Sequence, residues 1–164
     1  MCANLIAHDG SDIPWVKSIR YLGIDMKSSR VFKCVFDTAK KLFYKAFNAI
    51  FGKIDRSATA DVVMHLLKVE CLPILLYGLN ACPSHVADYK SLDFVIVRTL
   101  AKIFETFSQV IINECRTAFN ISLMCDIISR YKINFLIRYS ASENLLCKIF
   151  ALNAECEIKL LRQK

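Results

Sequence analysis

The sequence predicts a mainly α-helical protein in which an amino-terminal β-hairpin precedes a helical bundle of four to five helices. Three observations carry that expectation. A turn-rich run, His8-Asp9-Gly10-Ser11-Asp12, separates two apolar stretches near the start, and Asp-Gly is a favoured hairpin connection. From Arg30 onward, apolar residues recur every three to four positions instead of alternating. The chain of 164 residues is 55% hydrophobic, enough for one domain-sized core and too apolar for disorder.

The hairpin is expected within residues 1–27. Val16, Ile19 and Tyr21 alternate imperfectly with Lys17 and Arg20, as in a half-buried strand, and Gly23 marks a bulge or a close backbone approach. A hairpin alone is marginal in water, so its apolar face needs a partner surface. Residues 28–164 form the helical part. Between Arg30 and Phe51, the residues Phe32, Val35, Phe36, Ala39, Leu42, Phe43, Ala46, Phe47 and Ile50 fall within one arc at 100° per residue. Lys33, Asp37, Lys40, Lys41, Tyr44, Lys45 and Asn48 gather opposite. Gly52 is placed to end that helix, and Ser57 or Thr59 to cap the next. Pro73 interrupts or kinks this second helix. A third runs from His85 to Phe107 with Leu92, Val95, Ile96, Thr99, Leu100 and Ile103 inward. A short helix around Cys115 and a long one from Leu123 to Leu152 complete the set.

The formal net charge of +7 is unevenly spread. Residues 28–56 carry +5 and residues 108–164 carry +3, while residues 1–27 are neutral and residues 57–107 carry −1. A localised basic excess is the footprint of a polyanion-binding surface, although a solvated face has the same composition. The most apolar run, Cys71 to Pro83, is too short to span a bilayer. The first ten residues lack the basic start and long apolar run of a secretory signal, so an intracellular, non-secreted protein without a membrane partner is expected. Eight cysteines lie scattered through apolar sequence, as small buried hydrophobes do. None stands in a C-x₂₋₄-C pair, and His8, His65 and His85 offer no zinc pattern beside them.

No motif of catalysis is present. With only four glycines the chain has no phosphate loop, dinucleotide fingerprint or nucleophile elbow. His65 has no partner in sequence. Asp88, Asp93 and Glu105, interleaved with Arg98 and Lys102, have the spacing of a solvated helix face. No adjacent acidic pair supplies the closely held carboxylates of a two-metal centre.

Three phrases in order nevertheless carry a resemblance. "IPWVKSIRYLGIDM", "FDTAKKLFYKAFNAIFGK" and "HLLKVECLPILLYGLNACP" resemble the region after the catalytic palm in reverse transcriptases of LINE-type (non-LTR) retrotransposons. That family has a "KYLG" strand, then "KFYxAxNxI", then a "CLPILLYGxEA"-like segment. Here these read Arg20 to Gly23, Leu42 to Ile50 and Cys71 to Ala81. The resemblance covers residues 13–110 and continues loosely into "YKINFLIRY". The chain departs from the pattern at Asn80, where the family often has an acid, and at Arg20.

The resemblance implies a primer-grip-like hairpin at Tyr21, Leu22 and Gly23, followed by a thumb-like helical domain with a carboxyl-terminal extension. It also implies a weak, sequence-independent grip on a DNA or RNA template–primer duplex through Lys33, Lys40, Lys41, Tyr44, Lys45 and Asn48. The family's paired aspartates and Mg²⁺ belong to a palm expected before Met1, so no catalytic residue, metal or cofactor is expected here. The chain is then a fragment or remnant of an RNA-directed DNA polymerase. The alternative is a domesticated or non-functional helical interaction module, self-associating through an uncovered hairpin surface of Trp15, Val16, Tyr21 and Ile24.

Overall fold

The computed structural model describes residues 5–54 and 58–163 and has the mainly helical architecture, with two small antiparallel sheets, of two and three strands, at the amino end. The Asp9-Gly10 turn closes only a short ladder between β1 (Leu5–Ile6) and β2 (Asp12–Ile13). A second hairpin follows at once. Strands β3 (Ser18–Tyr21) and β4 (Ile24–Lys27) are joined by Leu22-Gly23, both with positive φ, 46° and 82°. That is the geometry of a two-residue type I′ connection, so Gly23 is a turn residue rather than a strand bulge. It is also a close approach, because a Cβ on Gly23 would meet the Tyr77 ring at 3.2 Å.

The sheet does not stop at residue 27. β5 (Lys33–Val35) pairs with β4 in the register Asp25↔Val35, Met26↔Cys34, Lys27↔Lys33. Residues 33–35, expected in the first helix, are therefore strand. The apolar positions 32, 35 and 36 had suggested helix. Locally, however, Ser29 Oγ donates to the Val31 carbonyl at 2.6 Å and forms a turn that sends the chain back along β4. Phe32 consequently points to solvent, 57% exposed, while Cys34 and Phe36 enter the core.

α1 (Asp37–Lys53) starts at an acid well placed for the helix dipole and buries Phe43 and Phe47. It runs through Gly52, which is not its terminator. α2 (Ala60–Leu66) has Thr59 at its N-cap position without a side-chain bond, and Ser57 lies outside the described residues. α2 continues through a π-turn (Leu67–Cys71) into α3 (Leu72–Leu76). Pro73 has no N–H to donate, and the widened turn just before it, with Leu72 N–H bonding the Leu67 carbonyl, absorbs the misfit. Gly78, at φ +70°, ends this stretch where a Cβ would overlap the Ile24 side chain. The "YLG" and "LLYG" phrases thus meet in space.

α4 (Val86–Ile103) crosses the core with Leu92, Val95, Ile96, Thr99 and Leu100 buried, as its periodicity predicts. Ile112 of α5 (Gln109–Ala118) and Met124, Ile127 and Ile128 of α6 (Met124–Ser140) close the same core. The expected single helix from Leu123 to Leu152 is instead broken. Asn144 Oδ1 accepts from Leu146 N–H at 2.9 Å and caps α7 (Leu145–Ile149), after which α8 (Ala151–Arg162) packs back on α6. Leu136, Ala154 and Ile158 make a small second core there, and Lys132 pairs with Glu157 across it.

Candidate nucleic-acid interface

α1 carries its polar residues on one stripe because positions 41, 45 and 48 recur at helical spacing opposite Phe43 and Ala46. Lys41, Lys45 and Asn48 are exposed, and Tyr44 beside them is half-buried. The Tyr44 ring stands edge-on to Phe43, with centroids 5.7 Å apart. Burial raises its phenol above the ordinary value, partly opposed by the positive charge of Arg98.

The second wall comes from α4, which runs alongside α1. Lys40 Nζ donates to Ser91 Oγ at 3.1 Å, and Lys102 Nζ donates to Asn48 Oδ1 at 2.9 Å. Lys102 also lies over the rings of Phe47 and Phe51, 5.7 and 5.3 Å from their centroids. Arg98 lies 5.8 Å from the centroid of Phe94. Between the walls is a groove of about 790 Å³ bordered by Tyr44, Asn48, Phe94, Arg98, Lys102 and Phe107. No carboxylate borders it among the described residues.

At the amino end of the same seam, Lys27, Lys33 and Lys40 converge on a smaller cleft of about 250 Å³ with Asp37, Asp88 and Ser91. Lys27 and Lys33 are direct cross-strand partners, an arrangement of like charges that destabilises a sheet unless an anion relieves it. Lys40 is already engaged, 2.7 Å from Asp37, whose carboxyl its bond and charge hold below the ordinary value. Asp88 caps α4 by accepting from His85 N–H at 2.8 Å.

The expected residues therefore divide. Lys33 reaches the seam from a strand instead of from α1, and Lys40 faces α4 rather than open solvent. Tyr44 and Asn48 line the groove, whereas Lys41 and Lys45 do not border it and lie on the exposed face of α1. Tyr21, Leu22 and Gly23 border neither cleft and sit at the turn that abuts Tyr77. Arg98 and Lys102, assigned from sequence to a solvated face with Asp93, instead border the groove. Their signal was present, since Phe94, Arg98 and Lys102 recur at i, i+4 and i+8.

Asp93 is not on a solvated face. Its carboxylate takes both terminal nitrogens of Arg116, at 2.8 and 2.7 Å, and accepts Met124 N–H at 3.2 Å. Arg116 is buried and also donates to the carbonyls of Ile121 and Ser122. Burial pushes the Asp93 carboxyl up, but the guanidinium and the Met124 amide outweigh it and hold it below the ordinary range. This pair fixes α4 against α5 and the start of α6, and so sets the wall of the groove.

His65 is exposed. Burial and a hydrogen bond to Cys34 push the Cys82 thiol up to about 12, and burial raises Cys71. Among the described residues, no three His, Cys, Asp or Glu side chains cluster to hold a metal ion. No family model, curated protein or solved structure matches the chain.

Proposed function

We propose that this chain is a thumb-like helical module, related to LINE-type reverse transcriptases, that grips template–primer duplex through phosphates and carries no polymerase centre of its own. The observation that carries the proposal is a set of cations without ion pairs among the described residues, Arg98 and Lys102 in the α1–α4 groove and Lys41 and Lys45 on the exposed face of α1. From Lys40 to Asn48 the seam rises about 12 Å, the axial length of three to four steps of one strand. Phosphate contacts position a duplex without reading its sequence, and that suits a grip which must slide.

A salt series of duplex binding, read by fluorescence anisotropy, tests this. Four contacts give a slope of log K on log salt of about −3.6, with affinity no better than micromolar at physiological salt. Lys41→Ala/Lys45→Ala should flatten the slope by about two units. Lys40→Ala should change it less, because Asp37 already neutralises Lys40. An unchanged slope in the double variant would show the stripe to be only solvated.

Self-association is the second reading. Trp15 is 63% exposed, and Val16, Ile19 and Tyr21 are exposed with it, whereas Ile24 packs against the core and leaves that surface. Four large apolar side chains exposed within seven residues of one another suit an interaction surface.

A further inference from the structure

Phe107 is 97% exposed in the connection between α4 and α5. Single exposed apolar residues are ordinary, so the exposure by itself says little. Its surroundings say more. Phe107 borders the groove that holds Arg98 and Lys102, and it also borders a second hollow on the other side of Lys102. Phe94, 58% exposed, stands in the same groove under the guanidinium of Arg98. Two open rings therefore flank two cations.

A blunt duplex offers those rings only the outer faces of its two terminal base pairs, because its other bases already stack on one another. An unpaired strand is not so limited, since every base has a free π-face and aromatic stacking tolerates any sequence. A peptide with acidic residues would meet the same cations. A ring so fully exposed offers such a peptide no walled pocket, while a base needs only one flat face.

We infer that the α1–α4 groove takes a single-stranded extension of the bound duplex, with its bases stacked on Phe107 and Phe94 and the phosphates where it leaves the duplex on Arg98 and Lys102. The inference rests on the duplex grip proposed above and names its continuation. Phe107 makes the cleanest probe, since a side chain this exposed supports nothing in the core.

The test compares three DNA probes on the full chain: a blunt duplex, the same duplex with a short single-stranded overhang, and that overhang with abasic sugars. The natural overhang should tighten binding over the blunt duplex by roughly 5- to 150-fold per stacked base. The abasic overhang should recover little of that gain. Measured against their own blunt-duplex affinity, Phe107→Ala and Phe107→Leu should lose the share of the gain that stacking on Phe107 supplies, whereas Phe107→Trp should keep it. Equal binding of the abasic and natural overhangs, or a full gain in Phe107→Ala, would overturn the stacking site while leaving the duplex grip intact. Failure to bind any of the probes would overturn both. Tighter, Phe107-dependent binding of an acidic helical peptide that displaces the overhang probe would reassign the groove to a protein partner.

Discussion

Asp93→Ala should be among the costliest single substitutions outside the apolar core. It removes both oxygens that face the Arg116 guanidinium and leaves that side chain, only 7% exposed, with the carbonyls of Ile121 and Ser122 alone. Breaking a buried pair from one side costs about 3–5 kcal/mol. Asp93 is 25% exposed, so water can reach the vacated site, and the low end, about 3 kcal/mol, is expected. Urea unfolding followed by circular dichroism reads this directly, with the midpoint lowered and the slope unchanged. The melting temperature should fall by about 6–12 °C for a chain of this length. The reciprocal change, Arg116→Met, leaves the Asp93 carboxylate with Met124 N–H and partial solvent, and should cost only about 1–2 kcal/mol. The double variant should cost less than the sum, because neither orphan remains.

The same pair predicts a pH signature. The Asp93 carboxyl is held below its ordinary 3.8, so the unfolded chain binds its proton first as pH falls. Its contribution is complete above about pH 4 and is lost as pH drops through the folded value. Arg116→Met removes most of what holds that value down, so stability should then vary less with pH below about 4. Asp37 titrates in the same window but is 66% exposed and contributes little. A cost below about 1 kcal/mol for Asp93→Ala, or strict additivity with Arg116→Met, would refute the clamp.

Two further outcomes are expected. Sedimentation over a concentration series should show reversible self-association that Trp15→Ser weakens, and a concentration-independent monomer would remove the exposed sheet surface as an interface. A primer-extension assay with Mg²⁺ or Mn²⁺ should show no incorporation, and activity that follows the purified chain through successive columns would contradict a purely gripping role.

What the sequence revealed and what it hid separate by the range of the forces involved. The inward set of α4 and the arc from Phe43 to Ile50 were legible because helical period is local and both segments are long. Lys33 to Val35 misled because Phe32, Val35 and Phe36 fit a helical arc as well as a strand. Only the turn at Ser29 and the pairing with Met26, distant from any helical pattern, decide it. Asp93 was misread for a similar reason. Its partner Arg116 lies 23 positions away, beyond any i, i+4 rule, and burial converts a common surface spacing into a clamp.

The groove was half legible. α1 shows its lysine stripe in sequence, but which face of α4 lies against it is settled by contacts 51 and 54 residues apart, Lys40 with Ser91 and Asn48 with Lys102. Those bonds turn two separate amphipathic helices into the facing walls of one groove. The pairing also explains why cations can crowd there. Lys102 shares its charge with Asn48 and two rings, and Arg98 with Phe94, so neither needs a carboxylate. A cation held by aromatic faces keeps its full charge for a ligand, whereas one held by an acid, as Lys40 is by Asp37, has already lost much of its pull. Binding should therefore depend more on Arg98 and Lys102 than on the lysine nearest the start of α1, although α1 carries the denser run of basic residues.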